Sequence, residues 1–124
     1  MNAFASRNNA RFATMIVTHS TQLNPDPAIR KQTHDALGVE DLSYMERRLA
    51  ALGKREGFLV VPLAPELQKR ADAGKIYFHG YPNLHIGWGH WNEDGHRAAG
   101  EILAAQVCAQ LQAAPKLPAL AALR

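Results

Sequence analysis

Two short runs, residues 12–17 (Phe-Ala-Thr-Met-Ile-Val) and 58–63 (Phe-Leu-Val-Val-Pro-Leu), are apolar at nearly every position. A strand with one face in water alternates apolar and polar residues. A continuous run suits a strand buried on both faces, as in a parallel sheet covered by helices. Parallel strands need a crossover between them, and the sequence between the runs has helical patterns. Asn24-Pro25-Asp26-Pro27 reads as a turn and a helix start, with a short helix over 27–36 that Gly38 closes. A second helix over 41–53 carries Leu42, Met45, Leu49 and Leu52 at helical spacing. In it, Asp41 is the expected cap, Gly53 the expected stop, and Glu46, Arg47 and Arg48 are expected to face water. Pro65 opens a further helix through about Ala73, which Gly74 ends. Strand, helices, strand, helix is a βαβ unit, nearly always right-handed. The expected class is α/β with a short parallel sheet.

Residues 87–100, Gly-Trp-Gly-His-Trp-Asn-Glu-Asp-Gly-His-Arg-Ala-Ala-Gly, read as a loop that turns into a helix. Asn92 suits an N-cap, because its side-chain oxygen can accept a first-turn N–H. Glu93 and Asp94 put negative charge at the positive end of the helix dipole. The helix is expected to run to about Leu111, with Ala99, Leu103, Val107 and Leu111 on one stripe and Ile102 beside it. His90 then stands just outside the helix start, between Trp88 and Trp91 in a glycine-rich loop. A histidine held this way is a candidate general base, because it ionises near neutrality.

The block His-Trp-Asn-x-x-Gly-His-Arg-x-Ala, from His90 to Ala99, resembles the closing block of the SGNH/GDSL hydrolase family. Residues 12–17, 44–52, 60–65 and 77–80 resemble segments of the C-terminal half of bacterial members. The resemblance implies a partial three-layer αβα, flavodoxin-like fold, with residues 1–112 forming the C-terminal part of the domain; residues 113–124, with Pro115 and Pro118 and no polar turns, are expected to be a flexible tail, loose or weakly helical. It implies hydrolysis of ester bonds, with acyl groups on lipids or carbohydrates as the substrate class. His90 takes the role of catalytic base and His96 that of the helix histidine after Gly95. No cofactor or metal is implied.

The chain departs from the family at two points. It holds no Gly-Asp-Ser block, and Gly87 and Trp88 stand where an aspartate would precede the base. A backbone carbonyl is the expected substitute for orienting His90, since Glu93 and Asp94 are explained by the helix start. The serines are Ser6, Ser20 and Ser43, and none sits in a glycine-flanked strand-to-helix turn. The expectation is a C-terminal part of a hydrolase domain that is inactive alone. Two apolar strands cannot cover their own edges, so the expectation is either a truncated gene product or a subunit completed by a second chain that supplies the nucleophile half.

Other features are set against this reading. His19 and Ser20 follow the first run, where open α/β sheets place their sites, or are ordinary loop residues. Residues 76–86 mix aromatics and histidines with Gly and Pro, as a pocket wall or as a loop packed over the sheet edge. A catalytically inactive interaction fragment is the alternative. A zinc site from His79, His85, His90 and His96 is a weaker third, because their spacings match no zinc motif.

The 14 basic and 11 acidic residues are scattered, which predicts a solvated surface and no nucleic-acid patch. Cys108, the single cysteine, is expected as a small buried hydrophobe. No apolar run reaches the roughly twenty residues of a membrane helix. Residues 1–10 are polar and mixed, with no secretion signal, so the cytoplasm is the default location. Residues 1–9 read as a helix end or a frayed terminus.

Overall fold

The computed structural model describes residues 1–113. Its elements in chain order are α1 (Asn2–Arg7), β1 (Ala13–Ile16), α2 (Pro27–Leu37), α3 (Tyr44–Glu56), β2 (Leu59–Pro62), α4 (Ala64–Gly74) and α5 (Glu93–Ala113). Among the described residues the fold is mixed α/β, five helices with a two-stranded parallel sheet. β1 pairs with β2 from Ala13 opposite Leu59 to Ile16 opposite Pro62. The expected flexible tail, 113–124, overlaps α5 at Ala113 and otherwise lies outside the described residues. Among the described residues no helix is long and apolar enough to cross a membrane.

The helix starts follow local chemistry. Asp26 Oδ1 accepts the Ala28 N–H at 2.8 Å and Pro27 occupies the first turn of α2, while Gly38 closes it in the left-handed conformation. Arg30 of α2 reaches Asp72 of α4 in a two-pronged ion pair of 2.7 and 3.1 Å, which ties the two helices together.

The core lies between β2, α4, α5 and the loop ahead of α5. It gathers Val61, Leu63, Leu67, Ala71, Phe78, Trp91, Ala98, Ala99 and Ile102, with Leu23 from the loop after β1. α3 packs on the opposite face of β2, where Val60 meets Gly53 so closely that a Cβ at Gly53 would lie 2.4 Å from Val60 Cγ2. β2 therefore carries a helix on each face.

β1 does not, and this corrects the expectation of two strands buried on both faces. Ala13, Met15 and Val17 are exposed, Met15 by 40% and Val17 by 62%. Parallel partners point the same way, so Met15 shares the face of Val61, but the core of α4 and α5 gathers on Val61 and leaves Met15 outside it.

α3 also departs from its expected form. It runs on past Gly53 to Glu56, and Gly57 caps it at φ 72°. Its inward positions include Glu46, which is 3% exposed, whereas Met45 is 60% exposed. The buried face is rotated by one residue from the one polarity suggests, because the glycine at 53 lets that side approach β2. Cys108 is exposed on α5 and is no part of the core. Along the α5 stripe Ala99 is buried, Leu103 packs against the core and Leu111 is 58% exposed, lining an open cleft with Phe12 and Phe58.

Candidate functional site

The loop that carries His90 is built by a short antiparallel contact. His79 and Trp91 form an isolated bridge, and around it Asn92 N donates to the Phe78 carbonyl at 3.0 Å, Gly80 N to the His90 carbonyl at 2.9 Å and Gly87 N to the His79 carbonyl at 2.9 Å. The Tyr81 hydroxyl donates to the Trp91 carbonyl at 3.1 Å. The backbone on both sides of the His90 ring is thereby fixed, although it belongs to no regular strand.

Asn92 joins this loop to α5. Its Oδ1 accepts the Gly95 N–H at 2.9 Å, the expected N-cap bond, and its Nδ2 donates to the Tyr77 carbonyl at 2.7 Å. One side chain thus ends the loop and starts the helix. Gly95 sits where the two meet: a Cβ there would stand 2.3 Å from the Phe78 carbonyl oxygen and 3.1 Å from Trp91 Cβ.

The loop is anchored to the end of β1 through Thr18, which is 6% exposed. Trp91 Nε1 donates to Thr18 Oγ1 at 2.9 Å, and His79 Nε2 donates to the Thr18 carbonyl oxygen at 3.3 Å. The second bond places the imidazole proton on Nε2. Burial pushes the His79 pKa below the usual histidine value, against the opposing pull of the Thr18 carbonyl, and the charge of His19 adds to the lowering. His79 is 3% exposed and acts as a framework residue.

His90 is exposed in the loop that runs into α5. Its ring makes no hydrogen bond with the described residues, so neither a backbone carbonyl nor a carboxylate orients it there. Asp94 pairs with Arg97 instead. His96 stands edge-on to Trp91 with ring centroids 5.5 Å apart, and His85 to Trp88 at 6.0 Å. Trp88 is 62% exposed and Trp91 8%, so the two tryptophans beside His90 have opposite surroundings.

Of the other residues weighed on sequence, Ser20 is 5% exposed in the turn after β1. His19 is exposed, with Nδ1 2.9 Å from Thr21 Oγ1. Ser43 lies at the start of α3, and Ser6 lines a cleft with Phe12 and Phe58 at the amino ends of the strands, the far end from Thr18. Among the described residues no three His, Cys, Asp or Glu side chains converge as a metal site.

Sequence reasoning missed the pinning role of Thr18 and the burial of Glu46. The signal for Glu46 was its place between Leu42 and Leu49 on one helical face; its charge argued the other way. Comparison with family models, with curated proteins and with solved structures finds no match.

Proposed function

We propose that this chain is the C-terminal part of an SGNH-type ester hydrolase with a flavodoxin-like fold, and that His90 is its general base. The observation that carries the reading is the Trp91–Thr18 bond, which holds the residue next to His90 at the carboxyl end of β1. Ligand and catalytic sites of open α/β sheets gather at those ends. The exposed ring of His90, without a competing hydrogen bond among the described residues, leaves it available to a hydroxyl group.

In this reading His90 takes the proton of a serine hydroxyl as that oxygen attacks an ester carbonyl, and returns it to the departing alcohol. Backbone N–H groups would hold the oxyanion. The nucleophile is not among these residues: Ser20 is buried, and Ser6 lies at the wrong end of the strands. The bare face of β1, with Met15 and Val17 exposed, supports completion by a second chain. The same face supports the alternative reading, a non-catalytic interaction module, and one experiment separates them. The chain is mixed with a polypeptide carrying a Gly-Asp-Ser strand and helix and offered an activated acetate ester. Hydrolysis should appear on mixing and be lost in His90→Ala. A mixture no more active than its His90→Ala counterpart leaves only the interaction module.

A further inference from the structure

An open groove of about 700 Å³ lies between α2, the start of α3 and the end of β1, and His90 does not line it. This volume is in the usual range of small-molecule sites. Its walls are mainly apolar, with Ile16, Leu37, Leu42 and Met45 among them. Glu46 also lines it, although the residue is only 3% exposed.

The carboxylate is half satisfied. Gln22 Nε2 donates to Glu46 Oε1 at 2.7 Å and to the Leu42 carbonyl at 2.6 Å. Glu46 Oε2 has no hydrogen-bond partner among the described residues. The cations that follow Glu46 along α3 are engaged elsewhere: Arg47 pairs with Asp41 at 2.7 Å, and Arg48 donates to the Tyr44 hydroxyl at 3.0 Å. A carboxylate withdrawn from water without a counter-charge is costly, and an apolar wall raises the attraction it exerts on a cation.

We propose that this groove binds a small organic cation, a primary ammonium on an apolar body, with Glu46 as its counter-charge. The ammonium donates to Oε2, which a small turn about the soft terminal torsion of glutamate brings to the occupant. The apolar body lies against Leu37 and Met45 on facing helices. Thr33 Oγ1, whose own proton goes to the Ile29 carbonyl at 3.1 Å, offers a lone pair to a second ammonium hydrogen. The proposal does not depend on ester chemistry at His90.

The test titrates the full chain with hexylammonium and with hexanol, read by calorimetry and by thermal unfolding, since a ligand of the folded state raises the midpoint. Saturable binding is expected for the amine and at least about tenfold weaker binding for the alcohol. Glu46→Gln should bring the amine down to the level of the alcohol. Ala36→Phe, which fills the groove from an exposed position of α2, should abolish amine binding without touching Glu46, and serves if the Gln variant does not fold. Equal affinity for amine and alcohol, or amine binding untouched by both substitutions, overturns the proposal. So does a concentration-dependent dimer that Ala36→Phe dissolves, because the groove would then be filled by a second copy.

Discussion

The indole N–H of Trp91 donates to Thr18 Oγ1 at 2.9 Å across 73 positions of sequence, and both residues are buried. The bond ties the loop beside His90 to the exit of β1. Trp91→Phe leaves Thr18 Oγ1 without this donor, and Thr18→Val leaves the indole N–H without its acceptor. Each single change should cost about 1–3 kcal/mol. The double variant should cost less than the sum, with a coupling of about 1 kcal/mol in a denaturant-unfolding cycle. Strict additivity would mean that the bond does not form in solution.

Asn92 makes two bonds of different sign, accepting from Gly95 N and donating to the Tyr77 carbonyl. Asn92→Ala loses both and should destabilise by about 1–2 kcal/mol. Asn92→Asp keeps the acceptor and adds charge favourable to the helix start, but loses the donor to Tyr77. Stability should therefore fall in the order Asn, Asp, Ala. Amide exchange over residues 76–91 should quicken in both variants. An Asp variant as slow to exchange as the parent would assign no value to the Tyr77 bond.

Glycine to alanine inside a helix ordinarily stabilises by about 0.5–1 kcal/mol. α5 contains both the rule and its reversal. A Cβ at Gly100 meets nothing within 4 Å, so Gly100→Ala should raise the unfolding midpoint. A Cβ at Gly95 would stand 2.3 Å from the Phe78 carbonyl oxygen, and that oxygen is held by the Asn92 N–H at 3.0 Å. Backbone on both sides must shift, so Gly95→Ala should cost about 2 kcal/mol or more. Thermal unfolding of the two variants side by side checks the contrast.

What the sequence made legible was local. The Asn92 cap, the Asp26–Pro27 start and the Gly38 stop each depend on residues within a turn or two, and each appears where the residue types put it. What it hid was set by distant partners. The face of β1 is exposed because the core gathers on Val61 instead, and no periodicity within 12–17 reports that. Glu46 points inward because Gly53, two helical turns on, lets α3 meet Val60. His79 looked like a pocket-wall residue, but its partner Thr18 is 61 positions away. For His90, the helix start after it was readable, whereas the loop bonds that fix its backbone join Phe78, His79 and Gly80 across a gap with no local signature.

His79 gives the chain a defined response to acid. Burial is the main cause that lowers its pKa in the folded state; the Thr18 carbonyl opposes it and His19 reinforces it. The unfolded chain keeps the ordinary value, about 6.5. As pH falls below that value the unfolded state takes the proton first, and stability is lost with it until the folded pKa is passed. The contribution of His79 is therefore fully present above about pH 6.5 and declines below it. His79→Gln retains a side-chain donor for Thr18 but does not titrate. The gap in unfolding free energy between parent and variant should be widest at neutral pH and shrink on acidification. In NMR titration the His79 imidazole should show a midpoint below that of the urea-unfolded chain. An unshifted midpoint, or a gap independent of pH between 7 and 5, would contradict the buried placement of this ring under the His90 loop.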